Sequence, residues 1–229
     1  MHSGEDPYDG LRYTAVQLID KAVELGFAAI AVTLHEKVIE DERVFDYARQ
    51  RGLLFVRAVE WNIRGRDVLL YNITQRDADR LQRFDDLRAY KRDRGEDLLV
   101  VAPHPLYPKG HSLGPEFERY MDVFDAVEYA QIHLARFDWF NQRAIAIARK
   151  HNKPVIATSD AHNLWMFGRH YTLVDAEPTQ ASIFQAIRQG KVQPVSPPVT
   201  VRECFRMFVS EPLWVRKKGQ VLNSFESPR

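Results

Sequence analysis

Short apolar runs that alternate with longer helix-period segments limit the folds open to this chain more than any other feature. The runs are Ala28–Thr33, Leu53–Val59, Asp67–Tyr71, Leu98–Ala102, Ala126–Tyr129 and Pro154–Thr158, with a late candidate at Tyr171–Val174. They are rich in Val, Ile, Leu and Ala without clean alternation, as expected of strands covered on both faces. Between them, Thr14 can cap a helix running through Glu24, with Ala15, Leu18, Ile19, Ala22 and Leu25 on one face and Gly26 at its end. Further helices are expected over Glu40–Arg51, Gln75–Arg94, Ala135–Lys150 and Thr179–Gln189. This βαβα order argues for an α/β fold with a parallel sheet, open or closed into a barrel. The Pro-rich stretch Gln193–Val199 reads as a connection to a last amphipathic helix near Val201–Val209, and Asn223–Arg229 is expected to be disordered. The domain reading is therefore one unit over 1–192, with 193–229 packed on or near it.

Composition narrows the class. A chain of 229 residues suits one sizeable α/β domain. Lys and Arg total 32 against 31 Asp and Glu, a net charge of +1 that gives no global footprint for nucleic acid or membrane. A single cysteine, Cys204, allows no internal disulfide and fits a reducing compartment. No leader-like apolar run opens the chain and no stretch approaches the ~18 apolar residues of a membrane span. The expectation is a cytoplasmic protein with no membrane partner and no dedicated nucleic-acid module.

The histidines carry the functional signal. His35 follows AAIAVTL, Glu60 follows LLFVRAV, His104 follows LLVVAP, and Asp160 and His162 follow PVIATS. In parallel β/α architectures the carboxyl ends of strands are where active sites assemble. Asp160 and His162, two apart in an extended segment, point the same way. A carboxylate and an imidazole facing one point suit a borderline divalent metal such as Zn, Mn or Fe. Glu60, with two oxygens, could bridge two such ions.

Taken in order, HS…DG, a helix ending LGF, AIAVTLH, VEW, APHP, VEY and TSDAHN resemble the polymerase-and-histidinol-phosphatase (PHP) superfamily over roughly residues 1–190. The resemblance implies a distorted (β/α)7 barrel with two or three divalent transition-metal ions (Mn, Fe or Zn) in its mouth. Carried over by position, it implies His2 as the second histidine of an opening HxH and His35 as the histidine of a TDH segment. Glu60 becomes the bridging glutamate, His104 the histidine of the HP pair, and Asp160 with His162 the closing DxH. Asp9 resembles the aspartate of the SDG turn at a longer spacing, so that Asp6 or Glu5 could serve instead. The chain departs from the pattern in three places. It begins Met1-His2, so the first histidine and the strand before it are not seen, and a form extended upstream by one strand carrying that histidine is expected to be more stable and more active. Asp67 stands where many relatives have a metal-binding histidine. Leu34 stands where an aspartate commonly orients a ligand.

Other residues carry two readings each. Glu128 is either a support for a ligand or a satisfied core carboxylate. His133 could complete the second metal or protonate a leaving group, or lie in a surface loop. His111 and Lys109 belong to a loop that begins beside His104; Lys109 is the candidate phosphate contact there. Arg169, whose fork matches phosphate oxygens, is the candidate anchor, with His170 beside it. His151, near a helix C-terminus, reads as structural. The tail LWVRKKG, with Trp214, reads as helix packing.

The activity implied is hydrolysis of a small phosphorylated substrate, a phosphomonoester or short phosphodiester with nucleotides among the candidates, by metal-activated water. His35, Glu60 and His162 are the expected catalytic residues. The rival readings are a non-catalytic metal-binding protein with a regulatory or scaffold role, and a related metal hydrolase acting on C–N bonds.

Overall fold

The first helix shows how local sequence sets the frame. In a computed structural model, which describes residues 1–131, 133–135, 137–206 and 221–225, α1 spans Ala15–Glu24. The Thr14 side chain accepts from the Gln17 amide while the Gln17 side chain accepts from that of Thr14, a reciprocal cap that satisfies two orphan donors. Ala15, Leu18, Ile19 and Ala22 are fully buried, in one cluster with Ile30 and Val32 of strand β1 (Ala29–Val32). Burial of Leu18 or Ile19 stabilises by ~1.5–3 kcal/mol each.

The strands that follow are β2 (Leu54–Ile63), β3 (Arg66–Tyr71), β4 (Leu99–Ala102), β5 (Ala126–Tyr129) and β6 (Val155–Ala157). With β1 they form one sheet in the order β1-β2-β3-β4-β5-β6. The helices between them are α2 (Glu42–Gln50), α3 (Gln75–Ala78), α4 (Phe84–Arg94), α5 (Glu116–Arg119) and α6 (Trp139–Lys150). Strand β7 (Tyr171–Val174) pairs antiparallel with β8 (Val192–Val195) in a sheet of their own, joined through α7 (Gln180–Arg188). A last helix, α8, covers Val201–Phe205.

The sheet is not wholly parallel as expected. β3 runs antiparallel to both β2 and β4. The reason is the two-residue link Arg64-Gly65, whose φ values of 53° and 79° are both positive, the pattern of a type I′ hairpin. So short a link leaves no room for the crossover a parallel pair needs. β2 also runs past its expected end, and Glu60 sits inside it opposite Leu69.

Two helices, the Pro-rich connection and the tail differ from expectation as well. Gln75–Arg94 is broken between α3 and α4, where buried Leu81 turns its carbonyl to the Trp61 indole N–H at 2.8 Å. The helix expected from Ala135 begins at Trp139, after a bridge between Leu134 and Phe137. The connection expected from Gln193 starts inside β8. Of the expected disordered end, Asn223–Phe225 are placed against the fold: just before them the Leu222 amide donates to the Gly4 carbonyl at 2.7 Å, Ser224 is buried, and Phe225 meets Tyr47 of α2 edge-on. The rest of the helix expected to reach Val209, and the tail with Trp214, lie outside the described residues.

The first two residues take a place between two strand continuations. The Thr33 amide donates to the Met1 carbonyl at 2.8 Å and the His2 amide to the Ala161 carbonyl at 3.2 Å. His2 is thereby fixed where the segments following β1 and β6 meet. No helix among the described residues is long and apolar enough to cross a membrane.

Candidate metal centre

Three sets of potential ligand atoms gather at the strand ends, each set lying within 4.8 Å: His2, Asp6, Asp9 and His35; His2, Asp160 and His162; Glu60, Asp67 and His104. His2 belongs to two of them. Its Nε2 lies 3.2 Å from Glu60 Oε2 and 3.2 Å from Asp160 Oδ1, which ties the third set to the others. Glu60 Oε1 is 3.4 Å from His104 Nε2, so the two oxygens of this carboxylate face two different histidines. On the far side, Asp9 Oδ2 is 3.2 Å from His162 Nε2 and 3.5 Å from His35 Nδ1.

The backbone is forced to make this arrangement. His104 and Asp160 have φ of 30° and 36°, and Glu36, next to His35, has 53°. Such values cost non-glycine residues of order 1–3 kcal/mol each and persist only where surroundings over-determine them. Glu128 is part of those surroundings. It is buried at the end of β5, accepts the His104 amide at 2.7 Å through Oε2, and takes the Thr158 hydroxyl through Oε1. Both of its readings meet in these contacts: it is a satisfied buried carboxylate, and it also fixes the backbone of His104.

The electrostatics fit cations. His2, Asp6, Asp9, Glu60, Asp67 and His104 are all buried. Burial works against charging His2, yet hydrogen bonds to Asp160, Asp6 and Glu60 outweigh it and hold its pKa well above the usual imidazole value. His104 is raised in the same way by Glu60 against its own burial. Glu60 is held well below the carboxylate range because its contacts to His104 and His2 exceed the cost of burying it. Asp67 is pushed up, by burial first and then by the charge of Glu60. Nδ1 of His104 is buried with no hydrogen-bond partner among the described residues, and Nε2 has only the long 3.4 Å contact to Glu60. A buried ring nitrogen without a partner costs free energy unless something else satisfies it. Imidazole nitrogens among carboxylate oxygens are the donor set of Zn, Mn and Fe. The residues present therefore fit divalent ions.

The His162 Nδ1 lies 3.0 Å from the Asp160 carbonyl. A carbonyl can only accept, so Nδ1 donates to it, while Nε2 faces Asp9 Oδ2 at 3.2 Å. Asp67 accepts from Asn62 at 2.9 Å, and its amide donates to the His111 carbonyl at 2.9 Å, which anchors the loop after His104 to the β2–β3 hairpin. Lys109, in that loop, is exposed. Desolvation opposes its charge, but the fields of Asp160, Glu60, Asp67 and Glu128 outweigh it and raise its pKa.

Three expected site residues are placed elsewhere. His133 is not in the cluster: its Nε2 donates to the Ser196 carbonyl at 3.2 Å, and its ring meets Tyr129 edge-on. The loop after β5 turns it toward the β8 side of the molecule. His170 Nδ1 lies 2.9 Å from Ser196 Oγ, in the same group. Arg169 pairs with Glu203 and donates to the Pro198 carbonyl at 2.8 Å, so its fork is taken up by α8 and the segment before it. Glu5, the alternative to Asp9, accepts the Ala15 amide at 2.9 Å and serves α1. What sequence reasoning underrated is Asp6, which sits in the cluster together with Asp9.

A sequence family described as PHP-associated matches residues 138–192. Among solved structures, a two-domain Bacteroides vulgatus protein described as containing a PHP-like metal-dependent phosphoesterase is similar with a TM-score of 0.63 and 21% identity. The similarity covers 86% of this chain but only 63% of that protein, so the chain spans less than two thirds of its length. PsfC from Pseudomonas syringae is similar with a TM-score of 0.56 and 16% identity over 79% of this chain and 82% of PsfC. A Bifidobacterium adolescentis protein, named provisionally as a metal-dependent phosphoesterase, is similar with a TM-score of 0.51 and 14% identity over 71% of this chain and 86% of its own. No curated protein sequence matches this one.

Proposed function

We infer that this chain is a member of the PHP superfamily and a metal-dependent hydrolase of phosphate esters, a reading supported by the PHP-associated match over 138–192 and by the likeness of its fold to a PHP-like protein. The observation that carries the reading is the linkage of three ligand sets through His2 and the two oxygens of Glu60. Two or three ions of the Mn, Fe or Zn type would be held by His2, Asp9, His35, Glu60, Asp67, His104, Asp160 and His162. Bound there, they would supply charge for phosphoryl oxygens and ready a water for attack.

The chain's own residues do the rest. Glu60 would join two ions. Glu128 fixes the His104 backbone, so that position does not depend on loop motion. His35 and His162, the more exposed histidines of the cluster at 30% and 20%, are placed to meet substrate. Lys109, drawn toward the carboxylates from the rim, would pair with a phosphate oxygen. Phosphoryl transfer needs little beyond positioning and charge neutralisation, and this constellation offers both. The substrate read is a phosphomonoester or short phosphodiester.

The test is elemental analysis of protein grown with Mn, Fe and Zn, alongside hydrolysis of a panel of phosphomonoesters, nucleotides and a model diester. About two to three ions per chain and chelator-sensitive turnover are expected, as for metal clusters of this kind. Protein without stoichiometric metal and without turnover on any ester would sink the reading.

A further inference from the structure

Asp6 is buried and its acceptor capacity is used up by donors of the chain itself. Oδ1 accepts the amides of Tyr8 at 2.7 Å and Asp9 at 3.1 Å, an Asx turn that shapes the loop. Oδ2 accepts the His35 amide at 2.8 Å and also lies 3.0 Å from His35 Nδ1 and 3.2 Å from His2 Nδ1. A carboxylate has about four lone-pair sites, and here five donor positions converge on them. Backbone N–H groups cannot turn away, so an ion binding Oδ2 would have to displace the His35 amide.

The two imidazoles are arranged around this carboxylate. The rings of His2 and His35 stack with centroids 4.3 Å apart and planes 23° apart. Both turn Nδ1 to Asp6, with Asp9 Oδ2 farther off at 3.4 Å from His2 and 3.5 Å from His35. Both turn Nε2 the other way, toward Glu60 Oε2, at 3.2 Å for His2 and 3.8 Å for His35. A neutral imidazole that donates from Nδ1 carries its lone pair on Nε2, so an ion that takes the place of the Nε2 proton binds there, and the partner of the first nitrogen thereby fixes which nitrogen binds metal.

We propose that Asp6 is a positioning residue and not a metal ligand: through Oδ2 it holds His2 and His35 together in the Nδ1–H form, with both Nε2 lone pairs aimed at the Glu60 side of the centre. The same carboxylate joins the N-terminal loop to the segment after β1. The two histidines come from parts of the chain 33 residues apart, and Asp6 sets them in one register. This assignment rests on the metal-centre reading above and goes beyond it by separating Asp6 from Asp9.

The test uses Zn-loaded protein. Nitrogen–proton correlation NMR of the histidine rings reports which ring nitrogen carries the proton, and chelator competition reports Zn affinity. In the wild type, His2 and His35 should show protonated, slowly exchanging Nδ1 and metal-bound Nε2. Asp6→Ala should abolish both Nδ1–H signals and weaken Zn binding about 10- to 100-fold, the usual cost of losing an outer partner. Asp6→Asn keeps the volume and the Asx turn, so it serves if the alanine variant does not fold, and it should give the same loss of Nδ1–H signals. Unchanged signals and affinity in a folded variant would overturn the assignment. So would the loss of one whole equivalent of Zn with both Nδ1–H signals intact, which would make Asp6 a ligand. Wild-type protein that binds no Zn would instead break the metal-centre reading itself, so the two failures are distinguishable.

Discussion

Two histidine-bearing regions of this molecule look alike in sequence and behave in opposite ways. At the strand ends, His2, His35 and His104 stand among Asp6, Asp9, Glu60, Asp67 and Asp160, and all three have pKa values held above the usual one. On the β8 side, His133 and His170 stand around Ser196, with Tyr129 and Arg169 nearby. There burial, followed by the charges of Arg169 and His133, pushes His170 down to about 4. The number of histidines does not separate the regions; the number of carboxylates does. An imidazole marks a cation site when buried negative charge surrounds it, and marks ordinary packing when hydroxyls and carbonyls do.

The sharpest way to break this comparison is to remove one carboxylate from the first region and one imidazole from the second. Asp160→Asn keeps shape and removes charge from beside His2. Phosphatase turnover is expected to fall at least ~100-fold, the upper range for losing a metal-site interaction, with metal content reduced and the circular dichroism unchanged. His133→Ala should leave turnover and metal content near wild type and show its effect in stability alone. Equal turnover by wild type and Asp160→Asn over the ester panel would remove the distinction between the regions.

Next in size is a pH effect confined to the second region. His170 has its folded pKa near 4, below the ordinary value of about 6.5. Above 6.5 both folded and unfolded chains hold it neutral, and it contributes no pH dependence. As pH falls from 6.5 toward 4, the unfolded chain takes up a proton that the folded chain refuses, so stability is lost. Between pH 6.5 and 5 the loss from this residue is about 1.6 kcal/mol. His170→Gln cannot titrate and should lose about that much less than wild type over the same interval in urea melts. Parallel losses in both proteins would mean that His170 is not held neutral.

Much of this was legible in the chain. The strand-end placement of His35, His104, Asp160 and His162 follows from apolar runs that stop at these residues, and Asp67, read as standing in a histidine's place, lies beside Glu60 and His104. What was hidden depends on turns and distant contacts. The reversal of β3 is set by Arg64-Gly65, a pair weaker than Asn-Gly as a hairpin signal; the two-residue gap between apolar runs was the available clue. His133 lies four residues beyond β5, where periodicity no longer says which way a side chain points. Leu34, read as a missing orienting carboxylate, is fully buried in the core beside α1. Asp6 touches His35 from 29 residues away, a contact no local pattern encodes.

The smallest effect expected separates the two cations that were read alike as phosphate contacts. Arg169 is engaged by Glu203 and the Pro198 carbonyl, so its charge is already matched inside the fold. Lys109 is exposed at the end of a loop whose base is held by the Gly114 amide on the Pro105 carbonyl and by Arg66 on the Ser112 carbonyl at 2.6 Å. The loop is thus fixed, and the ammonium lies in the field of Asp160, Glu60, Asp67 and Glu128. Ions bound among those carboxylates would offset that field and leave the ammonium for an incoming phosphate. A hydrogen bond to a charged group contributes about 1.5–3 kcal/mol, and exposure puts this one at the lower end. Lys109→Ala should therefore lower kcat/KM about tenfold, mainly through KM, with metal content unchanged. Arg169→Ala should change kcat/KM by no more than about twofold, the size of an ordinary surface effect, while lowering Tm through the lost contact to Glu203. Steady-state kinetics on the best ester of the panel, with both variants in parallel, decide the matter. A larger kinetic loss in the arginine variant would move the phosphate contact to the second region and reverse the roles of the two cations.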